Sequence, residues 1–299
     1  MNDQEKFAKP EYFPLQFWKV FSTSLGIYKN SFKNYLFLAA LTYLPFLIIN
    51  SLSPLDLLDL IDFFHGIFLD IMVFLTLPTI YINRRVYPIA TIVLFQRFFA
   101  SAVIISFIQL GVLWLFIGVF VGISVGLIIF GVIPFVFLIF AGFFLILENK
   151  NSLISVGENL LKSFKVVRAN FLLVFWNFLN ITFLITVPVL FFSIYYLSQH
   201  PDWVSFFEKY NPNVKAEPVF VEELFKLVQN IVQELGYKIG RIGIHIFFRP
   251  LKSIFLSLLF LGIMVRIAPV AVQSFLGAGK DGEKESNDPL TKVQTDEKE

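Results

Sequence analysis

The sequence predicts an all-α, polytopic integral membrane protein with about six transmembrane helices and flanking amphipathic helices at the interface. Of 299 residues, 57% are hydrophobic and 15% are charged, whereas soluble domains carry about 25% charged residues. Uncharged runs long enough to cross a hydrocarbon core of about 30 Å recur along the chain. These runs are continuous rather than alternating, which favours helices over a β-barrel.

Six apolar segments are long enough to span a bilayer. They are residues 35–52, 66–83, 99–122, 126–147, 171–197 and 243–266. Residues 98–147 contain no charged side chain, and as one helix they would be about 75 Å long at 1.5 Å per residue. Because that exceeds the bilayer thickness, we expect a hairpin that turns near Gly122 and Gly126.

The positions of Lys and Arg predict that both termini face the cytoplasm. The N-terminal segment and the loops after the second and fourth spans are basic, whereas the first outer loop has acidic residues without Lys or Arg. The chain therefore divides into a cytoplasmic N-terminus with an amphipathic helix (1–34), a six-span domain (35–270) with an outer segment (198–242), and a tail (271–299). The tail is predicted to be disordered because it lacks apolar residues.

Amphipathic helices are predicted beside the spans. In NSLISVGENLLKSFKVVRANF (151–171), apolar residues recur every three or four positions, and Glu158 and Lys162 are spaced for an i,i+4 pair on the opposite face. The apolar stripe consists of Leu153, Val156, Leu160, Phe164, Val167 and Phe171. Residues 14–33 repeat this design, which is typical of helices lying in the membrane interface. A third amphipathic helix is predicted to begin at Pro218.

Basic side chains of the two cytoplasmic amphipathic segments are the predicted contacts for anionic lipid. They are Lys29, Lys33, Lys162, Lys165 and Arg168.

An internal echo appears at an offset of 139 residues. SLGIYKNSF (24–32) aligns with SFKVVRANF (163–171), so that Ser24 matches Ser163 and Lys29 matches Arg168. A true duplication and a shared local design both explain the match. Duplicated halves are common in transporters, which have their sites between the halves.

A cluster of acidic residues and one histidine marks the first outer loop. Asp56, Asp59, Asp62 and His65 are three residues apart, a spacing that can gather oxygen and nitrogen ligands for a metal. The alternative is a helix N-terminus, where acidic residues are favourable.

Ionisable residues within the spans are expected to pair, because unpaired charges in lipid are costly. Asp70 in the second span and Arg249 in the sixth have similar predicted depths, and His245 lies one turn before Arg249. We expect Asp70 to contact Arg249 or His245, as a lock between helices or as a proton or ion site.

Other polar residues of the spans are candidates for packing or for a substrate path. Asn177 and Asn180 share one face of the fifth span, where hydrogen bonds between helices are expected. Lys252 must reach the interface, pair, or line a wet cavity.

Signatures of soluble catalysis are missing from the sequence, with no phosphate-binding loop, nucleophile elbow or zinc-protease motif. The chain has three His and no Cys. We therefore predict no cofactor and no enzymatic activity; a membrane-embedded enzyme that relies on carboxylates is the third reading. A net charge of +2 is too small to suggest nucleic acid.

The segment ENKNSLISVGENLLKSFKVVRANFLLVF (148–175) resembles a family pattern: a span ending in Glu, an amphipathic helix, then a Ser-aromatic-x-hydrophobic-Val-basic-small-Asn-Phe sequence. The family comprises the membrane domains associated with glycerophosphodiester phosphodiesterases and their stand-alone multispan relatives of unknown function. The matching positions are Glu148, Ser163, Phe164, Val167, Arg168, Ala169, Asn170 and Phe171. The sequence contains no phosphodiesterase domain, so the resemblance does not carry that activity. It implies a bacterial inner-membrane protein concerned with lipid or envelope homeostasis.

The leading functional expectation is a non-enzymatic, lipid-associated protein or accessory factor in membrane homeostasis. The alternative is a transporter or channel for a small or lipidic substrate. Expected partners are anionic membrane lipids, together with a second copy of the chain or another membrane protein.

Overall fold

The structure is a computed structural model that describes residues 13–52, 58–83, 85–123, 128–149, 153–209 and 218–276. The chain is all-helical, with 91% helix and no strand among the described residues. This confirms the predicted all-α class.

The described residues form thirteen helices. They are α1 (Phe17–Asn30), α2 (Phe32–Leu52), α3 (Leu58–Asn83), α4 (Pro88–Gln96), α5 (Phe99–Ile123), α6 (Ile128–Leu138), α7 (Ala141–Leu147), α8 (Leu153–Ala169), α9 (Phe171–Gln199), α10 (Pro201–Lys209), α11 (Pro218–Gln233), α12 (Leu235–Ile267) and α13 (Pro269–Phe275).

Among the described residues, four helices are long and apolar enough to cross a membrane, within α3, α5, α9 and α12. These segments are Leu60–Tyr81, Phe99–Phe116, Phe171–Gln199 and Gly236–Ile267. They correspond to the second, third, fifth and sixth predicted spans. The first predicted span is helix α2, which has 21 residues and is outside this set of four.

The fourth predicted span is not one continuous helix. A turn at Ile139 and Phe140 separates α6 from α7, although both helices are apolar. The expected hairpin turn near Gly122 and Gly126 falls largely on residues 124–127, which lie outside the described residues. The apolar run predicted as the fourth span therefore contains two helices, because the backbone hydrogen-bond ladder is interrupted inside it.

The first of two compact units comprises Met1–Ile181 with Arg249–Glu299. Its core is aromatic: the ring of Phe74 on α3 stacks on that of Phe143 on α7 at 4.8 Å, and Phe260 on α12 lies 5.4 Å from Phe143. Gly142 permits this approach, since a Cβ atom there would lie 2.7 Å from Cγ1 of Ile71.

The second unit comprises Thr182–Phe248. Helix α11 begins at Pro218 as predicted, and the hydrogen bond between its Lys226 and Glu222 lowers the pKa of the carboxyl and raises that of the amine. His200 Nε2 lies 2.8 Å from the Glu234 carboxylate.

Two short helices that begin at prolines were not predicted. Helix α4 starts at Pro88, in the basic loop after the second predicted span, and proline is favourable at a first helical position. Helix α13 starts at Pro269 and its Phe275 ring stacks on Phe74 at 4.6 Å. The predicted start of the tail at residue 271 is therefore too early. Residues 277–299 lie outside the described residues.

Helix α8 is amphipathic as predicted, and its buried face matches the predicted stripe only in part, at Val156 and Val167. It packs on α5, α6 and α7, and the face that it buries includes Asn159, Ser163 and Val167, four residues apart. Phe164 of the predicted stripe is exposed. Small and polar residues allow closer contact with the neighbouring helices than a stripe of Leu and Phe would.

Candidate functional site

The polar centre of the first unit is an ion pair between α12 and α3. The Nη2 atom of Arg249 lies 3.5 Å from Oδ1 of Asp62, and both side chains are largely buried. Arg249 also donates through Nη1 to the backbone carbonyl of Asp62, and the Tyr43 hydroxyl of α2 donates to the carboxylate. Three helices are therefore joined through one carboxylate, as expected of a buried charge that is paired and hydrogen-bonded.

His65 extends this network with a defined tautomer. Its Nε2 atom lies 3.1 Å from the Ala39 carbonyl, and its Nδ1 atom lies 3.0 Å from Nη1 of Arg249. A carbonyl only accepts and a guanidinium only donates. The imidazole is therefore neutral, with its hydrogen on Nε2.

The predicted metal cluster is only partly described. Both nitrogens of His65 and the carboxylate of Asp62 form hydrogen bonds or an ion pair in the Arg249 network. The Arg249 guanidinium therefore compensates the negative charge of Asp62, as a metal ion would in the predicted site. Asp56 lies outside the described residues, and of Asp59 only the helical backbone is described. Among the described residues, no group of three acidic or histidine side chains is arranged to hold a metal.

Asp70 lies further along α3 and contacts α12 at Ser253. The Ser253 hydroxyl lies 2.5 Å from Oδ1 of Asp70 and 3.2 Å from the carbonyl of Arg249. The similar predicted depths of Asp70 and Arg249 in the membrane favoured a direct contact between them. In the structure, Arg249 forms its ion pair with Asp62 instead. The other predicted partner, His245, belongs to the second unit.

Two side chains cap the interruption between α6 and α7. The Ser163 hydroxyl of α8 donates to the Phe137 carbonyl at 2.8 Å and accepts from the Phe140 amide at 3.2 Å. Gln109 of α5 donates from Nε2 to the Leu138 carbonyl at 2.7 Å. Sequence reasoning noticed Ser163 as a position of the echo and of the family pattern, without a structural role, and it missed Gln109. A lone glutamine inside an uncharged apolar run was the available signal.

The asparagines of the fifth predicted span donate within their own helix. Nδ2 of Asn177 donates to the Leu173 carbonyl at 2.7 Å, and Nδ2 of Asn180 donates to the Trp176 carbonyl at 2.8 Å. Both acceptors belong to the same helix, α9. Lys252 places its ammonium 5.5 Å from the centre of the Phe178 ring, a cation–π contact.

The basic side chains predicted to contact lipid differ in their surroundings. Lys29, Lys33, Lys165 and Arg168 are exposed. Lys162 instead forms an ion pair with Glu148 at 2.5 Å, not the predicted i,i+4 pair with Glu158. Its charge is thus compensated within the protein.

Comparison of the chain with protein-family models, with curated proteins and with solved structures found no match.

Proposed function

We propose that this chain is a non-enzymatic membrane protein that binds anionic lipid along α1 and α8 and acts as an accessory factor in membrane homeostasis. The observation that carries the proposal is an exposed stripe, present on both helices, in which large apolar side chains are followed by basic ones. Such a stripe suits the boundary between lipid head groups and acyl chains, where both kinds of side chain are favourable.

The stripe of α8 comprises Ile154, Leu161, Lys165 and Arg168. Ile154 is 82% exposed and Leu161 is also exposed, whereas the opposite face of the same helix is buried against α5, α6 and α7. Large apolar side chains at this exposure are unfavourable in water. Acyl chains would cover them, and phosphate groups would approach the two basic residues.

The stripe of α1 has the same composition. Trp18 is 70% exposed, and Leu25 and Lys29 follow it at helical spacing on the exposed side. Tryptophan is enriched at membrane–water interfaces because its ring is apolar and its N–H group is polar. The two helices would therefore lie at one membrane surface.

The surrounding architecture that we propose has six spans, with both termini on the cytoplasmic side of a bacterial inner membrane. The distribution of Lys and Arg supports this orientation. Helix α2 would be the first span, and the interrupted pair α6 and α7 would be the fourth.

The lipid proposal is tested by native mass spectrometry of the purified full chain with phosphatidylglycerol and phosphatidylcholine. Each basic residue at an anionic surface contributes about 1 kcal/mol, so Lys165→Gln with Arg168→Gln should weaken phosphatidylglycerol binding by about 2 kcal/mol, roughly 30-fold. Lys162→Gln is the matched control on the same helix, and it should have little effect because Glu148 already compensates its charge. Unchanged binding in the double variant, or an equal loss in the control, contradicts the proposal.

A second candidate function is transport, favoured by the interruption between α6 and α7. Transporters place discontinuous helices at their substrate and ion sites, and Asp70 lies near this interruption because both border the same cavity. Proteoliposomes containing a pH-sensitive dye would test it. Proton flux that Asp70→Asn abolishes would favour transport, and absence of flux would leave the lipid-binding proposal as the better one.

A further inference from the structure

A small cavity lies among α3, α5, α6 and α7. Its volume is about 20 Å³, and its polar lining comes from Asp70 and Gln109. The apolar lining includes Ile71, Phe135 and Phe143. A cavity of this size holds about one water molecule, provided that polar partners are present.

The orientation of the Gln109 amide is determined by the interruption between α6 and α7. Its Nε2 atom donates to the Leu138 carbonyl, so exchanging the two amide atoms would set Oε1 against another acceptor. The Gln109 side chain is only 2% exposed, so water at the protein surface does not reach it. Its Oε1 atom is buried and has no hydrogen-bond partner among the described residues. A buried acceptor without a donor is unfavourable. The side chain therefore requires a ligand that donates.

Asp70 brings a second acceptor to the same cavity. From the residues that the structure describes, its carboxylate receives a hydrogen bond from Ser253, and a carboxylate has capacity for further donors. A single ligand with two donors would satisfy both Asp70 and Gln109.

The charges around the cavity favour a neutral ligand. Arg249 is paired with Asp62, and Lys252 is the neighbour in sequence of Ser253, whose hydroxyl donates to Asp70. These two acidic and two basic side chains balance formally, with His65 neutral. A cation added beside Asp70 would leave a net positive charge in a medium of low polarity, which is costly.

We propose that this cavity is a binding site for one water molecule, which donates one hydrogen bond to Oε1 of Gln109 and the other to the Asp70 carboxylate. The water would connect α5 to the hydrogen bond between Ser253 and Asp70, which joins α12 to α3. This site is independent of the lipid-binding stripe on α1 and α8.

The test is hydroxyl-radical footprinting by X-ray radiolysis of the full chain in nanodiscs. A bound water generates radicals in place, so Phe143 should be oxidised although it is only 1% exposed. Phe255 is the matched control, because it is equally buried but packs on Phe17 and does not line the cavity. An unlabelled Phe143, equal to Phe255, overturns the proposal.

Two variants connect the labelling to Gln109. Gln109→Met removes the acceptor and should abolish the labelling of Phe143. Gln109→Glu in its protonated form keeps both a donor for Leu138 and an acceptor for water, and it should retain the labelling. Persistent labelling in Gln109→Met contradicts the assignment of Gln109 as a ligand.

A cation is distinguished from water by the thermal midpoint of the wild-type chain in sodium, potassium, ammonium and choline chloride. Equal midpoints in all four salts are expected for water. A higher midpoint in one of the small cations, lost in Gln109→Met, would show that the ligand is a cation and that the water assignment is wrong.

Discussion

The helix pair α1–α2 and the helix pair α8–α9 have the same construction at an offset of 139 residues. Helix α1 ends at Asn30 and α2 begins at Phe32, whereas α8 ends at Ala169 and α9 begins at Phe171. Across residues 18–39, each residue is as buried, half-buried or exposed as the residue 139 positions later, apart from Ser31, which is buried where Asn170 is half-buried. The similarity thus extends from the sequence pattern to the packing of both pairs.

The two pairs differ in what their buried faces do. Ser24 is fully buried and donates to the Val20 carbonyl of its own helix at 2.7 Å. Its counterpart Ser163 reaches out of α8 and caps the interruption between α6 and α7. One turn earlier, Val20 corresponds to Asn159. A shared helix geometry therefore supports a local role in one pair and a long-range role in the other.

The largest expected difference between the pairs is at the two serines. Ser163→Ala leaves the Phe137 carbonyl and the Phe140 amide without their partner. Leaving these two backbone groups unpaired should lower the free energy of unfolding by about 3 kcal/mol in total. Ser24→Ala should cost less than about 1 kcal/mol, because the carbonyl that it releases belongs to a continuous helix. The free energy of unfolding, measured by titration with sodium dodecyl sulfate in mixed micelles, checks both values. Equal costs would show that the two serines have the same role.

The long spans were predictable from the sequence because crossing a bilayer requires about 20 consecutive apolar residues. The length of an apolar run can be read directly from the sequence. The interruption at Ile139 was not predictable in this way. Its carbonyls are satisfied by Gln109 and Ser163, which are 29 and 26 residues away from the carbonyls they bind. Periodicity detects neighbours along one helix and is insensitive to such distant donors.

The polar site was predictable in its members but not in its pairing. Asp62 and Asp70 are eight residues apart on α3, which is about two turns, so both lie toward one side of the helix. Predicted depth favoured Asp70 as the partner of Arg249. The side chain of Arg249 is long enough to reach Asp62, and no sequence rule for depth accounts for that reach.

The next largest effect is expected at Val20 and Asn159. Asn159 is fully buried, and neither atom of its amide has a hydrogen-bond partner among the described residues. Asn159→Val should therefore stabilise the protein by about 1–2 kcal/mol, and Val20→Asn should destabilise it by at least that amount. The same titration measures both changes. A loss of stability in Asn159→Val would indicate that the amide binds a group that Val cannot bind, and the two positions would then differ in function.

A smaller effect is expected at Lys29 and Arg168, which occupy matching exposed positions. If both helices lie at one anionic surface, Lys29→Gln and Arg168→Gln should each weaken binding of phosphatidylglycerol by about 1 kcal/mol, roughly five-fold. Native mass spectrometry with the two single variants measures the ratio. A loss in only one of them would mean that the two helices do not meet the same lipid surface, despite their common packing.

The smallest effect concerns the first exposed position of α2 and of α9. Lys33 at the start of α2 corresponds to Leu172 at the start of α9, and Leu172 is 80% exposed. If both residues lie at head-group depth, Leu172→Lys should change the free energy of unfolding by less than about 0.5 kcal/mol. A lysine within the hydrocarbon would instead cost about 2.5–3.5 kcal/mol. Leu172→Ala controls for the lost apolar contact. A large cost for Leu172→Lys alone would show that α9 enters the membrane at a greater depth than α2, and the two pairs would then share internal packing but differ in their position relative to the bilayer.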